Sequence, residues 1–214
     1  MKDPPSTRIS LKLPRPDLSA KEAVEVIHAH SADLIQSRHA FYVSSAGAAD
    51  MRGRLAVGVG AWQIGLRNST TDSGTTLSLA YSGVLSIQNH STSGVAPPAF
   101  AVDSAWIDST RAASAIEREP LPDRMGDHYS IFMSLKQVDD FGLLWEVRRT
   151  YADPPTGLHI IHSFAVHATS GDIVVERIRQ EVDGRPVESR HRRGPGADEW
   201  TDELQRSPLK GDAH

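Results

Sequence analysis

Hydrophobic and polar positions change their spacing once along this chain, near Asp50. Before that point Ala23, Val24, Ile27, Leu34 and Ile35 recur at intervals close to 3.6, which is the stripe of an amphipathic helix. The stripe is preceded by Ser19-Ala20-Lys21-Glu22, a capping box in which serine and glutamate satisfy amides left unpaired by the first turn. These signals predict a helix from Ser19 to about Arg38, lying on a sheet. Beyond Asp50 the period falls to two. Leu77, Leu79, Leu85 and Ile87 alternate with serines and other polar residues, the pattern of strands with one buried face. From Leu55 to Leu66 the apolar parity reverses near Gly60, which predicts a strand with a bulge there. The polar stretch Asn68 to Gly74 is expected to be a hairpin loop.

Three further strands follow. Tyr129, Ile131, Met133 and Leu135 share one parity, as do Phe141, Leu143, Trp145, Val147 and Tyr151, and then Ile160, His162, Phe164 and Val166. Asp139-Asp140, Asp153 to Gly157, Ser170-Gly171-Asp172 and Asp183-Gly184 punctuate these runs as turns of an antiparallel meander. Asp183-Gly184 is a type I′ hairpin signal, and Pro186, lacking an amide donor, belongs on an edge strand. Asp108-Ser109-Thr110 caps a short helix over Arg111–Arg118. The fold class is therefore α+β: a mainly antiparallel curled sheet, cone- or barrel-like, packed against an N-terminal helix. The alternative is an all-β barrel or sandwich carrying that helix. Three regions are expected: a proline-rich arm over 1–17 whose Ile9–Leu13 run suits a sheet edge, one domain over 18–193, and a polar tail over 194–214.

Composition narrows the chemistry. The 214 residues contain no cysteine, which excludes thiolate metal sites, thiol nucleophiles and disulfide scaffolds. A net charge of −4 argues against a dedicated nucleic-acid binder. No apolar run is long enough to span a bilayer and the start lacks a secretory signal, so the expected setting is cytoplasmic, with no membrane partner. Arginines crowd residues 176–193 and acids the tail, which reads as a soluble hairpin or as a docking patch.

The ten histidines do not form a metal site by spacing. His28 and His30 point about 200° apart on a helix, and His159 and His167 lie some 27 Å apart on a strand. Glu25 and His28 have a di-iron spacing but no second such pair. Phosphate loops, nucleophile elbows and dinucleotide fingerprints are missing, so no cofactor is expected.

What remains is a pocket. Trp145, Tyr151, Tyr129 and Met133 fall on the inward face of adjacent strands, with His162 one strand on and Tyr81 in the first hairpin; polar tips on an apolar lining are how small-molecule sites look. The same residues equally suit a filled core. In the pocket reading His162 does acid–base work, with Asp103 and Asp127 as orienting carboxylates. The expected function is a small-molecule-handling domain, either a binder of an apolar or aromatic ligand or a cofactor-free isomerase, dehydratase or cyclase. The alternative is a non-catalytic interaction protein, most simply a homo-oligomer formed through sheet edges or the Arg-rich hairpin. A third, weaker reading is a carbohydrate- or membrane-surface-binding module using the loops at Asn68–Thr76 and His90–Gly94.

Overall fold

The computed structural model describes residues 6–36, 39–47, 49–67, 73–91, 98–102, 105–194 and 201–202. In chain order the elements are β1 (Ser6–Ser10), α1 (Ala20–Gln36), β2 (His39–Ala46), β3 (Ala61–Arg67), β4 (Ser73–Ala80), β5 (Val84–Ser91), α2 (Ser109–Ile116), β6 (Ser130–Val138), β7 (Gly142–Asp153), β8 (Leu158–His167), β9 (Ile173–Val182), β10 (Arg185–Arg193) and β11 (Thr201–Asp202). All strands belong to one curled, open antiparallel sheet in the order β1-β5-β4-β3-β2-β6-β7-β8-β9-β10-β11. The α+β class read from periodicity is the observed one, and the sheet does not close into a barrel.

The capping box forms: the Ser19 amide donates to Glu22 Oε2 at 2.8 Å and the Glu22 amide to Ser19 Oγ at 3.4 Å. Ala23, Val24, Ile27 and Ile35 are buried, so α1 lays the expected stripe on the sheet. Its next two free amides are capped from a distant segment, Ala20 by Ser109 Oγ and Lys21 by Asp108 Oδ1. Asp108 also caps α2 itself, so one Asp-Ser pair serves two helix starts.

The inner face of β3, β4 and β5 is filled by Trp62, Ile64, Leu66, Leu77, Leu79 and Leu85 under α1. Two of the expected boundaries move. The strand foreseen from Leu55 begins only at Ala61; Val57 and Val59, 81 % and 71 % exposed, sit in a turn around Gly58, whose φ of +80° breaks an extended chain. There is no bulge at Gly60. Strand β2 was not foreseen: a bulge between Ala40 and Tyr42 reverses its parity, and its buried side is Ala40, Val43 and Ser45, too small to stand out. This strand joins the two halves of the sheet through only two paired positions, Val43 with Leu135 and Ser44 with Ser134.

The described part of the N-terminal arm supplies β1, the edge strand beside β5. The meander β6 to β10 follows its turn signals, with Asp183 and Gly184 both at positive φ. Pro186 lies on β10, where the register shifts between Pro186 and Glu188. In the polar tail, Thr201 and Asp202 pair with His191 and Arg190; the rest of that segment lies outside the described residues apart from Gly194. The Asn68–Gly74 loop is described only from Ser73. Among the described residues, no helix is long and apolar enough to cross a membrane.

Candidate functional site

Register arithmetic places the site. Antiparallel partners share a face, so the pairings from β6 to β10 lay cross-strand rows on the concave side. One row runs Ile131, Arg149, His162, Ile178, Arg190; the next runs Met133, Val147, Phe164, Glu176, Arg192. Each row starts apolar on β6 and ends charged on β10. The polar end of the concave face is crossed by residues 117–129, a strap without helix or strand between α2 and β6.

His162 is the centre of this region. Its side chain is 1 % exposed, and Nε2 lies 2.7 Å from Glu176 Oε1, itself 4 % exposed. Phe164 packs against the imidazole with ring centroids 4.3 Å apart. The second oxygen of Glu176 accepts from Arg192 Nε, and Arg192 reaches on to Glu119 Oε2 at 3.0 Å. The chain His162–Glu176–Arg192–Glu119 thus ties three strands to the strap.

Burial pulls the His162 pKa below its ordinary value, and the hydrogen bond to Glu176 only partly opposes this. Burial pushes Glu176 the other way, but hydrogen bonds from His162 and Arg192 outweigh it and hold the carboxyl below its ordinary value. At neutral pH the pair is a neutral imidazole donating from Nε2 to a carboxylate. Nδ1 then carries the lone pair, and it is buried with no hydrogen-bond partner among the described residues.

Arg149, cross-strand from His162, is 1 % exposed. Its terminal nitrogens donate to the carbonyls of Ile116 and Glu119, at the end of α2 and in the strap. Its guanidinium carbon lies 5.3 Å from the Phe164 ring centre and 6.0 Å from that of Tyr129. Among the described residues no carboxylate forms an ion pair with it, and its Nε has no hydrogen-bond partner. Burial lowers its pKa, yet a guanidinium stays charged under any ordinary condition.

The residues foreseen as site members divide. Tyr129 stands over Arg149 and donates its hydroxyl to Met51 Sδ at 2.8 Å. Met51 is one wall of an open groove of about 360 Å³, completed by Arg52, Arg54, Thr110, Ser114 and Glu117. Tyr151 is half-buried where the strap passes: a Cβ on Gly126 would come within 2.8 Å of its ring. Trp145 and Met133 are wholly buried in packed core, Trp145 between Trp62 and Trp106 with its indole donating to Ile107 O. Tyr81 sits at the β4–β5 turn, five strands from β8. Asp127 is exposed on the strap and makes no hydrogen bond or ion pair with His162. Asp103 lies outside the described residues.

The carboxylate that hydrogen-bonds His162 is Glu176, which the sequence reading did not single out, nor Arg149, Arg192 and Glu119 as its neighbours. The signal was there: Arg149 shares the buried parity of Val147 and Tyr151, and Glu176 that of Ile178. Among the described residues no three His, Asp or Glu side chains gather to hold a metal ion. Comparison with known proteins returns no matching family model, curated protein or solved structure.

Proposed function

We propose that this chain is a small-molecule-handling domain whose chemistry lies at the strap-covered end of the concave sheet, where His162 exchanges a proton with the ligand. One observation carries the reading: Glu176 fixes Nε2 of a buried imidazole and leaves Nδ1 without a protein partner. Such an imidazole is a base with its tautomer set, and a group within hydrogen-bond reach of Nδ1 would give up or receive a proton there. Phe164 packs against the imidazole, and Tyr129 lies over the neighbouring Arg149. No cofactor enters the scheme. Trp145 and Met133 act as the packed floor that holds β6 and β7 in place, not as ligand contacts.

The test is a native mass spectrum of the purified chain and of its His162→Ala variant, each repeated after denaturation. A small-molecule mass released from the wild type and missing from the variant supports the reading. A bare chain mass, together with a fragment library that shifts no His162 ring resonance in NMR spectra, overturns it.

A second reading rests on a different observation. The sheet is open, with β1 at one edge and β11 at the other; among the described residues β11 pairs with Arg190 and His191 of β10. An open sheet with two edges favours association with another copy. Arg177, Arg179 and Arg193 face away from His162, while Arg190 and Arg192 point into the concave side. A docking role therefore belongs to the outward three, and their reversal to glutamate is expected to lower the mass seen in light scattering if self-association uses this end.

A further inference from the structure

Resting on the small-molecule reading above, we infer that Arg149 and His162 together bind a small monocarboxylate beneath the 117–129 strap, with one proton taken up at His162 as it binds. Three observations converge. The first is a pair of unused buried atoms, Arg149 Nε and His162 Nδ1, on side chains that are direct cross-strand partners and flank the same Phe164 ring. The second is a charge. Arg149 is buried with two backbone carbonyls and two aromatic rings around it, and its guanidinium forms no ion pair among the described residues. A buried guanidinium with no carboxylate in direct contact gains from an anion placed against it, provided the net charge of the cluster stays balanced. The third is the cover: the strap is held over the site by Arg149, through Ile116 O and Glu119 O, and by Arg192, through the Glu119 carboxylate.

Charge decides the ligand class. Among the described residues the groups that face His162 are Arg149 on β7, Glu176 on β9, Arg192 and Arg190 on β10, Glu119 on the strap and Tyr129 beside β6. Arg149 and Arg192 already balance Glu119 and Glu176, and Arg190 is paired with Glu188. An anion alone would leave the cluster negative. A carboxylate plus one proton from solvent restores neutrality: one oxygen accepts from Arg149 Nε, and the proton sits on Nδ1 and is donated to the other oxygen. A phosphate, with its greater charge, would leave an excess that these groups do not match. The walls offered by Phe164 and Tyr129 suit a short aromatic or branched acid.

Benzoate and its neutral analogue benzyl alcohol separate the outcomes. Each is titrated into the full chain at pH 7 and pH 8 by calorimetry in two buffers of different protonation enthalpy, with the 15N signals of His162 recorded in parallel. The expected result is benzoate binding that strengthens about tenfold from pH 8 to pH 7, with one proton taken up per ligand. Nδ1 should move to a protonated shift, and binding should be lost by more than tenfold in Arg149→Gln and in His162→Gln. The second variant keeps a donor toward Glu176, so it reads the site even if the first fails to fold. Benzoate binding that is independent of pH, or that survives both substitutions, overturns the inference. If benzyl alcohol moves the His162 signals and benzoate does not, the carboxylate class is wrong while the small-molecule reading stands; if neither moves them, both fall.

Discussion

Glu176 accepts from His162 at one oxygen and from Arg192 at the other, so replacing it strands two donors at once. Glu176→Ala is expected to cost about 3–5 kcal/mol in urea unfolding, because it removes a buried carboxylate from both Arg192 and His162. Acid acts on the same residues. The His162 pKa is lower in the folded chain than in the unfolded one, so below about pH 6.5 the unfolded state takes a proton that the native state refuses. Stability therefore falls as pH drops from 7 toward 5. Glu176, also held below its ordinary value, adds a second loss that begins only below about pH 4.5. In His162→Gln the first part of the fall should vanish and the second persist, as read from urea midpoints across that range. An unchanged profile would show that His162 does not resist protonation. Arg149 and Glu176 were legible in principle, as charges on a buried parity; their partners were not, since Glu119 and Arg192 are far apart in sequence and meet only through the fold.

Among the elements, β2 and the strap carry most of what periodicity missed. The first is short on apolar residues because its neighbours demand small ones: Ser45 is wholly buried and accepts the Met133 amide at 2.9 Å. Ser45→Ala should cost about 1–3 kcal/mol, the penalty for a buried amide left without an acceptor, and its chemical denaturation midpoint checks this. The strap has no period at all, yet Arg149 and Arg192 fix it. Gly126→Ala would press a methyl group against Tyr151, so the expected effect is faster hydrogen exchange over 117–128 with β6 to β8 unchanged. By contrast α1, α2 and the meander turns were legible, because caps, stripes and Asp-Gly turns are local signals.

Over the whole molecule the sheet has two chemically different sides. The concave half under α1 is apolar and closed, while the half under the strap is charged and inward-facing. The outer side of β9 and β10 carries Arg177, Arg179 and Arg193. Arg179→Glu should change stability by no more than about 1 kcal/mol, the range of an exposed ion pair such as its contact with Glu181. Arg192→Glu should destabilise far more strongly, because it sets a third negative group against Glu176 and Glu119. Equal effects from the two changes in thermal unfolding would contradict this division of the arginines.

The sequence by itself determined the helix with its capping box, the period-two runs and their turns, and hence an α+β chain with a curled antiparallel sheet. It also placed His162 on an inward face. Those features depend on neighbours within a few positions. Tertiary structure alone decided which carboxylate meets His162, where Arg149 ends, and which aromatic rings are floor and which are rim. Cross-strand rows and the strap are set by register between distant segments, and a slip of one residue would have turned each of these side chains to the other face.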